Sequence, residues 1–110
     1  MRLLILLIFL VLAAQANSQT AATVWGYGAT ESCGQWLADR KEGGDREEIG
    51  KHWTLGFLSG QAFKAKADVL KTMDAEAIFA EIDKYCRDTP RDKVVTATVD
   101  LFNKIASKRK

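Results

Sequence analysis

Two cysteines, Cys33 and Cys86, bracket the middle of this chain, and a leader-like stretch precedes both. After Arg2, residues 3–14 run uncharged and rich in leucine, and Ala14-Gln15-Ala16 offers a small-x-small cleavage site, with Ala16 and Ser18 a nearly equal pair. That is the pattern of a secretory signal peptide over residues 1–16. Its apolar core is too short for a comfortable membrane span, and nothing later approaches one. The expectation is an exported chain, periplasmic or secreted, cut near Ala16 or Ser18 and free of a membrane span. No cysteine follows either site, so a lipid anchor has no support. Two cysteines in an oxidising compartment most simply pair with each other. On the chain-entropy model, closing the loop between them would stabilise the fold by roughly 4 kcal/mol. The competing use is a nucleophilic thiol with His52 as its base, which requires a free thiol and leaves the second cysteine without a role.

Composition limits what else the chain can be. Removing residues 1–16 takes one of 16 basic residues and none of 14 acidic ones, leaving a formal charge of +1. That balance argues against a nucleic-acid binder. A domain of the remaining length buries a modest share of its surface, so a covalent staple matters to it.

Residues 17–30 are small, polar and dotted with glycine, which reads as an extended N-terminal arm ahead of a helical domain over residues 31–110. In the arm, Trp25 and Tyr27 are expected to lie across the core, the alternative being an aromatic patch offered to a partner. A first helix is expected over residues 32–41, with Cys33, Trp36, Leu37 and Arg40 on one face. Gly43 and Gly44 stop it. Asp45 is a candidate N-cap, with Glu48 three residues on, for a central helix in which Ile49, Trp53, Gly56, Gly60 and Phe63 recur at helical spacing. Gly56 and Gly60 would leave a groove on that face. Internal packing against another element is the expected use of it, and an external partner the other.

Residues 61–73 read as a frayed helix end and a loop. Asp74 then caps a helix whose Ile78, Phe79, Ile82, Tyr85 and Cys86 form one apolar face. Thr89-Pro90-Arg91-Asp92 carries start signals for a last helix: a capping threonine, proline at the first position and an acid three residues after the cap. Val94, Thr98, Leu101, Phe102 and Ile105 supply its buried stripe, and Lys104, Lys108, Arg109 and Lys110 form a basic tail. The expected fold class is all-α, a small bundle of about four helices stapled by one disulfide, with Trp36, Trp53, Gly56, Gly60 and Tyr85 in helix packing.

The chain offers little for catalysis. One histidine cannot build a multi-histidine metal site, and His52 reads as a helix-surface residue. Ser59 has no evident base. The carboxylate pairs Glu47 with Glu48 and Asp39 with Glu42 lie among basic neighbours, which marks a solvated face. No phosphate loop, dinucleotide fingerprint or calcium loop is present. No catalytic residue, metal ligand or cofactor is expected, and the protein should work by contact.

Three segments together carry a resemblance: Cys33-Gly34-Gln35-Trp36-Leu37, Trp53-Thr54-Leu55-Gly56-Phe57-Leu58-Ser59-Gly60, and Tyr85-Cys86-Arg87-Asp88-Thr89-Pro90. In this order behind a signal peptide, they resemble the Rap/Tai family of small periplasmic proteins, which includes immunity proteins of bacterial type VI secretion systems. The resemblance implies a helical protein that binds and blocks a peptidoglycan amidase toxin, a cell-wall hydrolase, with Cys33 and Cys86 structural and homodimerisation common. Within that reading, the turn carrying Glu42, Asp45, Glu47 and Glu48 would present carboxylates to the toxin's cleft. A second resemblance, to the HdeA and HdeB acid-stress chaperones, rests on the cysteine followed by a large apolar residue early in the chain and on Tyr85-Cys86-Arg87 with Pro90; it implies unfolded clients as partners. An accessory role in the cell envelope is the third reading.

Overall fold

The computed structural model describes residues 22–108. The expected signal peptide with its expected cleavage site, residues 17–21 of the arm, and Arg109 and Lys110 lie outside the described residues. Five helices are present among those described: α1 (Tyr27–Thr30), α2 (Cys33–Glu42), α3 (Asp45–Ala65), α4 (Ala75–Asp88) and α5 (Val94–Ser107). The bundle is all-α and carries one disulfide, Cys33 to Cys86, which joins the first residue of α2 to the last turn of α4. Neither cysteine is a free thiol, so a nucleophilic thiol paired with His52 is overturned.

Local chemistry explains most boundaries. Ser32 caps α2, its hydroxyl accepting from the Gln35 amide at 3.1 Å, and Asp74 caps α4 by accepting from the Ala77 amide at 2.8 Å. Between α2 and α3, Gly43 and Gly44 both take positive φ, +75° and +86°, a turn that side chains resist. Gly44 occupies the N-cap of α3, which places Asp45 at the first helical position. There its carboxylate sits against the positive end of the helix dipole without capping it.

The last helix starts later than its signals predict. Residues 90–93 form a turn, and Lys93 rather than Thr89 precedes α5. The reason is competition for the same groups. The Tyr85 hydroxyl donates to Asp92 at 2.6 Å, and the carbonyls of Asp92 and Pro90 accept from the Cys33 and Gly34 amides at 2.7 and 3.0 Å. Those two amides belong to the first turn of α2, where no intrahelical partner exists. The Val94 amide returns a bond to the Glu31 carbonyl at 3.1 Å, and Ser32 pairs with Lys93 as an isolated antiparallel bridge. The turn before α5 is therefore the backbone cap of α2.

The core is built from Trp36, Leu58, Ile82, Val94 and the disulfide, all essentially sealed from solvent, with Ile78, Phe79, Ala97 and Leu101 around them. Val69, from the loop after α3, is also buried. Packing runs from α2 to α4, from α4 to α5 and from α5 to α3, and α1 wedges against α3 and α5. Residues 27–30 are helical rather than extended, and the two aromatics of the arm part company: Tyr27 is buried, whereas Trp25 is 84% exposed.

The central helix is rotated from its expected orientation. Its core face is Gly50, Thr54 and Leu58, and the stripe of Ile49, Gly56, Gly60 and Phe63 looks outward. Gly56 and Gly60 thus correct the expectation of helix packing: a Cβ added at either would meet nothing within 4 Å among the described residues. The close approach occurs at Gly50 and Gly28 instead. A methyl group at Gly50 would come 2.8 Å from the Tyr27 ring and 3.3 Å from Trp36, and one at Gly28 would collide with the Trp53 ring.

Candidate functional site

Two polar clusters fix the N-terminal half of α3. In the first, Asp39 of α2 is 2% exposed, yet its carboxylate accepts from the Tyr27 hydroxyl at 2.6 Å, Gln35 Nε2 at 2.9 Å and Arg46 Nε at 3.2 Å. Burial pushes this carboxyl up, but the three hydrogen bonds and the Arg46 charge outweigh it and hold it below the usual range. Tyr27 is shifted the other way: burial first, then its bond to Asp39, raises the phenol well above its ordinary value. In the second cluster, Asp83 of α4 accepts from Trp36 Nε1 at 2.7 Å and from Arg40 Nη2 at 3.0 Å, and Arg40 Nη1 reaches Glu47 at 3.4 Å. The bond to Asp83 holds the guanidinium firmly charged.

These clusters divide the four carboxylates of the α2–α3 turn. Glu47 is half-buried and spent on Arg40, with Lys51 also near at 3.9 Å. Glu42 and Asp45 are exposed, and so is Glu48, which pairs with Lys51 at 3.3 Å and His52 at 3.6 Å. Three of the four are thus offered to solvent at one end of α3, and Glu47 is a structural ion pair. Asp39, expected on a solvated face with Glu42, is buried. Its place at the foot of a Tyr-Gly arm left no signal in the spacing.

The remaining expected packing residues are placed as follows. Trp36 is buried edge-to-face on Tyr27, with ring centroids 6.3 Å apart. Trp53 is half-buried, donates Nε1 to the Trp25 carbonyl at 2.9 Å and stacks on Phe57 at 4.9 Å. Tyr85 bridges to Asp92, a bond that raises its phenol's pKa. His52 stands exposed beside Glu48.

The outward side of α3 is the feature without a role inside the domain. Ile49, His52, Gly56, Ser59 and Phe63 are all exposed along it, and none is an acidic residue, a lysine or an arginine. Ile49 is 58% exposed and Phe63 88%. Surface helices ordinarily put charges here. Each mid-helix glycine on this face also sacrifices about 1 kcal/mol relative to alanine. Beside the stripe, a groove of about 780 Å³ opens between the arm, α3 and α5. Ala22 and Val24 form one wall, Phe57 and Phe102 another, and Gly56 and Gly60 border it on α3. Its polar members, Gln61 and Lys64, belong to the last turns of α3. The Gln61 amide oxygen itself is sealed from solvent and has no hydrogen-bond partner among the described residues. The glycine spacing was the sequence signal for this groove; Ala22, Val24 and Lys64 gave none.

Among the described residues, no cluster of three or more His, Cys, Asp or Glu side chains is arranged to hold a metal, and no helix is long and apolar enough to cross a membrane. No family model, curated protein or solved structure matches this chain.

Proposed function

We propose that this is a non-enzymatic binding protein of the cell envelope, and that it acts as an immunity protein by binding and blocking a peptidoglycan amidase. The observation that carries a contact role is the outward side of α3: exposed Ile49 and Phe63, small residues between them, and the carboxylates of Glu42, Asp45 and Glu48 at one end. An apolar centre with a charged rim is the anatomy of a protein interface. Its complement would be a surface with an apolar ridge and a basic margin. The resemblance of the three segments around Cys33, Gly56 and Cys86 supplies the toxin class.

The test is inhibition. The mature protein is titrated at neutral pH into a panel of purified type VI amidases while peptidoglycan hydrolysis is followed. One enzyme should be silenced at a 1:1 ratio. Phe63→Glu should weaken that inhibition by about 100-fold and Glu48→Lys by about tenfold, with unchanged thermal unfolding. Absence of inhibition across the panel would remove the immunity reading.

A second reading, an acid-stress chaperone, draws on the Asp39 cluster. Protonating Asp39 would end its ion pair with Arg46 and weaken the bond it accepts from Tyr27, loosening α1 from α2 and α3. In that case the protein should suppress aggregation of unrelated clients at about pH 2–3 and not at neutral pH.

A further inference from the structure

We propose that the groove between the arm, α3 and α5 is a binding site for a medium-chain fatty acid, with the acyl chain along Gly56 and Gly60 and the carboxylate at Lys64. Its volume of about 780 Å³ falls in the range of small-molecule sites, which are apolar with a few polar groups that fix orientation. The lining has that division. Val24, Phe57 and Phe102 make hydrocarbon walls, and the one charged lining residue, Lys64, stands near the C-terminal end of the α3 segment. A rod-shaped ligand that is apolar along its length and anionic at one tip matches this polarity.

Two further observations point to an occupant. Gly56 and Gly60 are unexplained by packing, because no described residue lies within 4 Å of where a Cβ would stand at either. What their missing side chains provide is the open α3 side of this groove. Lys64, which lines the groove, is exposed and makes no ion pair among the described residues, so its ammonium is available to a carboxylate head group. From Gly56 to Ala65 the helix advances about 13 Å, a length that suits dodecanoate.

The site is independent of the amidase reading, since it needs no protein partner. Dodecanoate, kept below its micelle-forming concentration, is titrated into the mature protein while tryptophan fluorescence and native mass spectrometry are recorded. Trp53 lies stacked behind Phe57 and should report occupancy. One dodecanoate per chain is expected. Lys64→Gln should weaken dodecanoate about tenfold and leave dodecanol unaffected, because the uncharged alcohol makes no charge-assisted bond. Gly60→Leu should abolish binding of both, with circular dichroism showing that the variant folds. The proposal is overturned if no dodecanoate binds, if Gly60→Leu binds it normally, or if Lys64→Gln weakens acid and alcohol alike. It is also overturned if the ligand-free protein is a dimer that Gly60→Leu converts to monomer, since a second copy would then cover the groove.

Discussion

Two pairs of glycines divide this molecule. Gly28 of α1 and Gly50 of the central helix are pressed against aromatic rings, whereas Gly56 and Gly60, further along that helix, border open space. The first pair exists because Tyr27, Trp36 and Trp53 need the volume. The second pair is unfavourable for the helix and, among the described residues, supports no contact. The N-terminal half of α3 thus carries a glycine that the fold requires, and the C-terminal half two that no described residue covers, although Leu58 there belongs to the core.

The largest expected effect is at Gly28. A methyl group there collides with the Trp53 ring, which is held by its bond to the Trp25 carbonyl and by stacking on Phe57. Gly28→Ala should destabilise by about 3 kcal/mol or more, and Gly50→Ala by about 2 kcal/mol, both read from denaturant midpoints. If Gly50→Ala is neutral, the closed half of the comparison fails.

The next effect is the acid response of the closed half. Asp39 has its pKa depressed in the folded state, so the stability it contributes is fully present above the unfolded carboxylate value near 4. That contribution is lost as pH falls through the lower, folded value. Thermal midpoints should fall below about pH 4, and Asp39→Asn should lower the neutral-pH midpoint and flatten that fall. An unchanged slope in Asp39→Asn would assign the acid response to other carboxylates.

The smallest effect has the opposite sign. Gly56→Ala and Gly60→Ala should each stabilise by about 0.5–1 kcal/mol, since the added methyl groups meet nothing and the unfolded chain loses freedom. Destabilisation by either would mean that the outward face is packed after all.

The helices whose buried residues are large were legible in the sequence. In α4, Ile78, Phe79, Ile82 and Cys86 fall on one face and all four are buried. Cys33 and Trp36 in α2, and Val94, Thr98 and Leu101 in α5, follow the same logic. The central helix defeated it because its core face is made of small or polar residues, Gly50 and Thr54 beside Leu58, while Ile49 and Phe63 face out. Hydrophobic periodicity assigns the larger residues inward, and here they are the exposed ones. The same inversion hid α1, where Gly-Tyr-Gly has the composition of a loop and packs only because of rings supplied by distant residues. Of the candidate site, the acidic turn and the glycine groove were visible as patterns. That Glu47 belongs to Arg40, and that Phe102 and the arm complete the groove, depended on tertiary placement.

The link between Cys33 and Cys86 spans the loop of residues 66–74, where Lys66 and Lys71 are exposed. A trypsin-like protease that cuts there separates α3 from α4 in sequence and not in substance. Both pieces stay covalently joined, with α1 to α3 on one and α4 and α5 on the other, still laced by the amides of Cys33 and Gly34. Such a nicked protein would run as two bands on a reducing gel and one on a non-reducing gel, a form of the molecule that can be broken once without being taken apart.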